Sequence, residues 1–213
     1  MSLRIEIETV FEDKAFSRPL FYSYPDGLRF ELSQSGSAIE MFLQALRKAT
    51  EICAEIFCRE ESLVVCLRSR AFISPFELRK SLAQLRAAEI TIPASRSLWL
   101  DPVAVSDRFD ESVPEWHLNI AFRVPTSLLQ NLLWCAFTAD FPSIRPRPLC
   151  DVYLFNLTDG IMVWPYDDRG MDVVGPNHEL LSELYLKYHE YLLEYARKEM
   201  VASFESSSLD GMK

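Results

Sequence analysis

Residues 151–174, DVYLFNLTDGIMVWPYDDRGMDVV, constrain the fold most tightly. Three apolar runs at 152–155, 161–164 and 171–174 are separated by Asn156-Leu157-Thr158-Asp159-Gly160 and by Asp167-Asp168-Arg169-Gly170. Runs this short, bounded by Asn, Asp and Gly, do not sustain helices. They predict three strands of an antiparallel meander. A meander this apolar must be covered, and the rest of the chain is read for the elements that cover it.

Leu3, Ile5 and Ile7 alternate with Arg4, Glu6 and Glu8, which fits a short strand or extended arm, although the continuation into Val10-Phe11 leaves a helix open. Runs at 19–24 and 28–32 flank Pro25-Asp26-Gly27 and read as a hairpin, with Arg29 and Glu31 on one face. Ser37-Ala38-Ile39-Glu40 has capping-box spacing, and the apolar period behind it predicts a helix over 38–58. The continuous run 62–67 reads as a buried strand. Ser74-Pro75-Phe76-Glu77 is a second capping box, opening a short helix with Leu78, Leu82 and Leu85 inside.

Residues 97–105 and 115–124 are strand-like on either side of an acidic loop at 106–115. In the second strand, Trp116, Leu118, Ile120 and Phe122 alternate with His117, Asn119, Ala121 and Arg123, which predicts one buried and one wet face. Thr126 is placed to cap a third helix, which Asp140-Phe141-Pro142 should end before the extended connector Arg145-Pro146-Arg147-Pro148. A last helix follows Asn177 with a Leu/Tyr stripe, read as core packing with each hydroxyl at the rim. The resulting expectation is one α+β domain over 1–205, a mainly antiparallel sheet covered by helices, with a long C-terminal helix. Residues 206–213 lack apolar periodicity and are expected to be a disordered tail.

At 213 residues, 49% of them hydrophobic, the chain can bury one sizeable core. Its net charge of −9 is uneven: from Asp151 onward there are twelve acidic residues against five basic ones. A field of that sign repels phosphate backbones, so no nucleic-acid partner is expected and a basic protein partner fits better. The N-terminus has no apolar signal core, and the longest apolar run, 132–137, is too short to span a bilayer. No membrane association is expected, and the cytoplasm is the expected location. Cys53, Cys58, Cys66, Cys135 and Cys150 show no close metal-ligand spacing and read as reduced, buried thiols.

The densest polar cluster is Tyr166-Asp167-Asp168-Arg169-Gly170-Met171-Asp172. Its structural reading is a turn: Asp167 and Asp168 cap amides, Gly170 supplies a positive φ, and Arg169 pairs with a carboxylate. Its functional reading gathers Asp167, Asp168 and Asp172, with Asp159, around Arg169, to bind a cation or a basic partner or to act as an acid/base pair. No metal is selected by this spacing, which lacks the alternate oxygen ligands and closing Glu of a calcium loop. No two of His117, His178 and His189 have ligand spacing. A Walker loop, a dinucleotide glycine fingerprint and a Gly-x-Ser-x-Gly elbow are absent, so no cofactor is expected.

Leu28-Arg29-Phe30-Glu31-Leu32, Asp140-Phe141-Pro142, the string Tyr166-Asp167-Asp168-Arg169-Gly170-Met171-Asp172-Val173 and a Leu/Tyr-rich terminal helix together resemble the bacterial domain-of-unknown-function family 3885. The resemblance runs from about Pro19 to Phe204. It implies the domain limits and the importance of Asp167, Asp168, Arg169, Gly170 and Asp172, and it implies no activity. The leading expectation is a small binding protein, of the kind that acts as an immunity or antitoxin-like inhibitor of a basic enzyme. An enzyme using the Asp/Arg cluster, by metal-assisted or acid/base hydrolysis, and a structural or regulatory subunit are the alternatives.

Overall fold

A computed structural model of the chain describes residues 2–70, 75–104, 107, 108, 110 and 112–204. The meander forms as its punctuation requires. Its strands β5 (Asp151–Asn156), β6 (Ile161–Pro165) and β7 (Gly170–Val174) join β1 (Leu28–Glu31), β2 (Ser62–Arg70), β3 (Ser97–Pro102) and β4 (Trp116–Pro125) in one antiparallel sheet, ordered β1-β7-β6-β5-β2-β4-β3. The helices among the described residues are α1 (Leu3–Phe11), α2 (Ala38–Ile56), α3 (Pro75–Ala87), α4 (Leu129–Phe137), α5 (His178–Lys187) and α6 (Arg197–Phe204). The α+β class is as expected.

One face of the sheet offers Val65, Phe122, Leu154, Val163 and Val173 to Phe42 and Ile52 of α2, Leu132 and Leu133 of α4, and Leu181 and Leu184 of α5. The opposite face packs Val64, Cys66, Ala121, Tyr153, Phe155 and Met162 against Ile7 and Phe11 of α1 and against Ala15 and Leu20 just beyond it. Burial on both faces explains the continuous apolar run in β2. It also corrects the wet face expected for β4, because Asn119 and Ala121 are fully buried while Trp116, on the side expected to be inside, is exposed. Leu3, Ile7 and Phe11 recur every four residues and share one stripe, so the first segment is helical and Ile5 is left outside.

The expected hairpin is absent. Residues Phe21–Ser23 form a 3-10 turn, and β1 pairs instead with β7, placing Arg29 opposite Asp172. Asp172 accepts a hydrogen bond from the Phe21 amide at 3.1 Å, which draws the incoming chain over the sheet. Helix α2 opens with the capping box: the Ser37 hydroxyl accepts from the Glu40 amide while Glu40 accepts from the Ser37 amide. For α3, Ser74 lies outside the described residues. Thr126 does not cap a helix; its hydroxyl donates to the Glu61 carbonyl, and α4 starts after a 3-10 turn at Thr126–Leu128.

The C-terminal helical segment is divided. Leu192 and Leu193 are extended because they meet the open edge of β1, Leu192 bridging Phe30 and the Leu193 amide donating to the Arg29 carbonyl at 2.9 Å. The tyrosine stripe packs only in part as expected: Tyr185 is buried and the Tyr188 and Tyr191 hydroxyls donate to the Glu51 carbonyl and carboxylate, whereas Tyr195, expected on the same stripe, lies beyond the break and is exposed. Cys53, Cys66 and Cys135 are buried, whereas Cys58 is exposed, which corrects that expectation. Val105, residues 106, 109 and 111 of the acidic loop and the expected tail 206–213 lie outside the described residues. No helix among the described residues is long and apolar enough to cross a membrane.

Candidate functional site

Antiparallel register brings distant polar residues to one end of the sheet. Arg68 lies opposite Asp151, Arg70 opposite His117, Asp101 opposite His117, and Glu31 opposite Gly170. The turn between β6 and β7 closes this same end. Asp159 sits in the turn at the other end of β6, roughly 16 Å away at about 3.3 Å per residue. There it accepts from the Asn156 side chain at 2.8 Å, and it does not join the cluster around Arg169.

Within the turn, Asp167 accepts from the Arg169 amide at 2.8 Å and pairs with the Arg169 guanidinium at 3.2 Å. This is the local capping that short Asp side chains provide. Asp168 is buried and accepts from the Ser33 hydroxyl at 3.2 Å. Asp172 is fully buried and takes a two-point contact from Arg29, Nε at 2.7 Å and Nη2 at 2.8 Å. The Arg29 guanidinium lies against the rings of Phe21, Tyr22 and Tyr166, at 4.9, 5.6 and 5.6 Å. Hydrogen bonding to Asp172 raises the Arg29 guanidinium above its ordinary value, while burial pushes the Asp172 carboxyl up against that attraction. The two-point geometry favours the ionised pair. Asp172 is thus committed inside the fold.

Gly170 is required for a reason other than the positive φ expected of it, since its backbone is outside the left-handed region. A Cβ there would fall 1.9 Å from the Tyr166 hydroxyl oxygen and 2.2 Å from the ring. The tyrosine covers the strand start only because no side chain stands under it.

The structure adds a residue to this turn that the sequence offered as a helix stop and as part of the family resemblance, without a place in the cluster. Asp140, at the end of the turn that follows α4, lies beside Asp167 and Asp168. Its carboxyl is raised above the ordinary value by burial and then by those two like charges, which a hydrogen bond from the Asp168 amide and the charge of Arg169 offset only in part. Asp140, Asp167, Asp168 and Arg169 therefore form one cluster built from two separate elements, with Asp140 and Arg169 exposed and Asp168 buried beneath them. Among the described residues, no group of three or more His, Cys, Asp or Glu side chains is placed to hold a metal ion.

A second polar concentration lies at the same end, on the α1 side of the sheet. Arg68 is buried and donates through Nη1 to Asp101 at 3.0 Å and to Asn119 at 2.9 Å, while Asp101 also accepts from the Trp99 indole at 3.0 Å. Arg18 pairs with Asp151 at 2.5 Å, and Arg70 pairs with Glu115. Arg18, Arg68, Arg70, Asp107, His117 and Asp151 line a cavity of about 320 Å³. The His117 imidazole is pushed down to about 4, first by burial and then by Arg68, Arg18 and Arg70. No short motif announces this group, because its members come from two loops and from three different strands.

The family model described as "Domain of unknown function (DUF3885)" matches residues 3–196. The match starts earlier than the motifs implied, taking in α1, and stops just before α6. A stretch of 71 residues is 36% identical to "Uncharacterized protein YnaE" of Bacillus subtilis (strain 168), covering 30% of this chain and 33% of that protein. The matched stretch thus spans about a third of the length of that curated relative. No solved structure matches the chain at a significant level.

Proposed function

The chain belongs to the DUF3885 family, and from that premise we propose that it is a small protein-binding module whose turn cluster receives a cationic group of a basic partner. The observation that carries this reading is the convergence of Asp140, Asp167 and Asp168 from separate elements, with the exposed Arg169 as their counter-charge among the described residues. Like charges held together by the fold are relieved by an added cation. The net charge of −9 supports steering of such a partner, with a rate that falls with salt. In its finer form the reading is an immunity or antitoxin-like inhibitor in the cytoplasm that covers a basic enzyme.

Low-salt capture from host lysate with the tagged chain and with its Asp140→Lys variant tests it. One stoichiometric basic protein is expected, released by salt and not retained by Asp140→Lys. Recovery of the chain alone, or a partner held equally by both forms at every salt concentration, would overturn the reading. The raised Asp140 carboxyl beside two other carboxylates also supports a second reading, an acid/base pair in a hydrolase. That reading expects the purified chain to hydrolyse substrates without a partner and Asp140→Asn to abolish the activity while leaving the melting temperature unchanged.

A further inference from the structure

We propose that the outer edge of β3 receives an extended segment of a partner protein as an added strand, with aliphatic side chains of that segment over Leu98 and Leu100 and a carboxylate of it on Arg86 and Arg96. This edge is at the far side of the sheet from β7, which carries the carboxylate turn, and the two surfaces take occupants of opposite charge.

The two edges of the sheet end differently. At β1, Leu192 bridges Phe30 and the Leu193 amide donates to the Arg29 carbonyl, so the chain covers that edge with an extended segment of its own. At the other end of the order stands β3, which pairs with β4 and, among the described residues, with no further strand. The outward N–H and C=O groups of such an edge are a template for another strand. Edges are commonly guarded by charged side chains. Here Leu98 and Leu100 stand beside it, 55% and 53% exposed, on one face with their cross-strand neighbours Ile120 and Leu118.

The same face provides a pocket and a charge. Leu98, Leu118 and Ile120 share a cavity of about 390 Å³ with Leu78 and Leu82 of α3 and with Ile92. Its remaining lining is Arg86 and Arg96, and among the described residues no carboxylate lines it. Both arginines are exposed. The Arg86 guanidinium makes no ion pair among the described residues, and that of Arg96 donates only from Nη1 to the Pro93 carbonyl at 2.9 Å. In a chain of net charge −9 the cavity is thus locally positive. An aliphatic side chain of an added strand fills it, and a carboxylate two positions along meets guanidinium forks that match its oxygens. Main-chain pairing then supplies affinity and the alternate side chains supply specificity.

A second copy of the chain does not supply that carboxylate. In antiparallel pairing of β3 with itself, the acidic residue brought to the edge is Asp101. It is committed to Arg68, Asn119 and the Trp99 indole, and Trp99 packs on the α1 face, opposite to the cavity. A nucleic acid would satisfy the arginines and leave the strand edge unpaired.

Titration of the isotope-labelled full chain with the synthetic peptide acetyl-Leu-Thr-Leu-Thr-Glu-amide, followed by two-dimensional NMR, tests the proposal. Laid antiparallel, its leucines face Leu100 and Leu98 and its glutamate faces Arg96. Saturable binding is expected, with shifts concentrated on residues 96–102. Lys in place of the peptide's Glu, or Arg96→Gln in the chain, should weaken binding about tenfold or more, as for a charged hydrogen bond. Arg79→Gln, exposed on α3 but outside the cavity, should bind as the parent does. Methylating either the two leucine amides or the two threonine amides of the peptide separates strand addition from side-chain contact alone, because only one set faces β3. One methylated peptide should lose binding and the other keep it. No saturable binding, equal binding by the parent and Arg96→Gln, or equal binding of the two methylated peptides would overturn the proposal. A dimer of the free chain that Leu98→Ser disperses would overturn it too, by giving the edge to a second copy.

Discussion

On the sheet face covered by α2, α4 and α5, Val65, Phe122, Leu154 and Val163 are fully buried among apolar neighbours. On the face covered by α1, Arg68, Asn119 and Asp172 are nearly as deeply buried, beside Tyr153 and Trp164. Both faces lose their water, yet different terms hold them. On the first, stability follows from area and volume. On the second, part of the area is polar and is tolerable only while each charge keeps its partner.

Removing one group from each face separates the two. Phe122→Ala leaves a cavity on the apolar face and should cost about 3–5 kcal/mol. Asp172→Ala leaves the Arg29 guanidinium buried without its counter-charge, and should cost about 3–5 kcal/mol as well. The second step distinguishes them: Arg29→Met combined with Asp172→Leu should regain most of the loss, because apolar groups of similar volume often replace a buried pair at little cost. Urea unfolding of the three variants is the measurement. A double variant as unstable as Asp172→Ala would mean that the pair also contributes through the Phe21 amide and the rings around Arg29.

Gly170→Ala probes the seam between the faces. The added methyl must displace the Tyr166 ring, so the expected cost is about 1–3 kcal/mol, as for overpacking. Combining it with Tyr166→Ala should make the glycine substitution nearly neutral. If Gly170→Ala costs the same with the tyrosine removed, strand pairing rather than the ring would be the constraint.

Local signals were legible in the sequence, and pairing across distance was not. The capping box at Ser37 and Glu40 and the turns of the meander act within four or five residues, and they appear where read. The hairpin at 19–32 failed because β1 finds its partner some 140 positions later, in β7. The first helix was obscured by its own composition: Leu3, Ile5 and Ile7 satisfy a strand alternation, while Leu3, Ile7 and Phe11 satisfy a helical stripe. That helix in turn covers the β4 face expected to be wet. The candidate sites divide in the same way. Asp167 and Asp168 were visible as a turn, whereas Asp140 joins them only through the packing of the segment after α4. Arg18, Arg68, Arg70 and His117 meet only because sheet register aligns β2, β4 and β5 at one end.

The smallest expected effect is also the most specific to the polar face. His117 titrates at about 4 in the folded chain, against about 6.5 when exposed to water. Between those values the unfolded chain binds a proton that the folded chain refuses, so stability falls as pH falls through the window and is fully retained above its upper limit. Urea melts from about pH 7 to about pH 5 stay above most carboxylate titration and isolate this effect. His117→Gln should flatten the decline, and equal slopes in both proteins would remove His117 as its source.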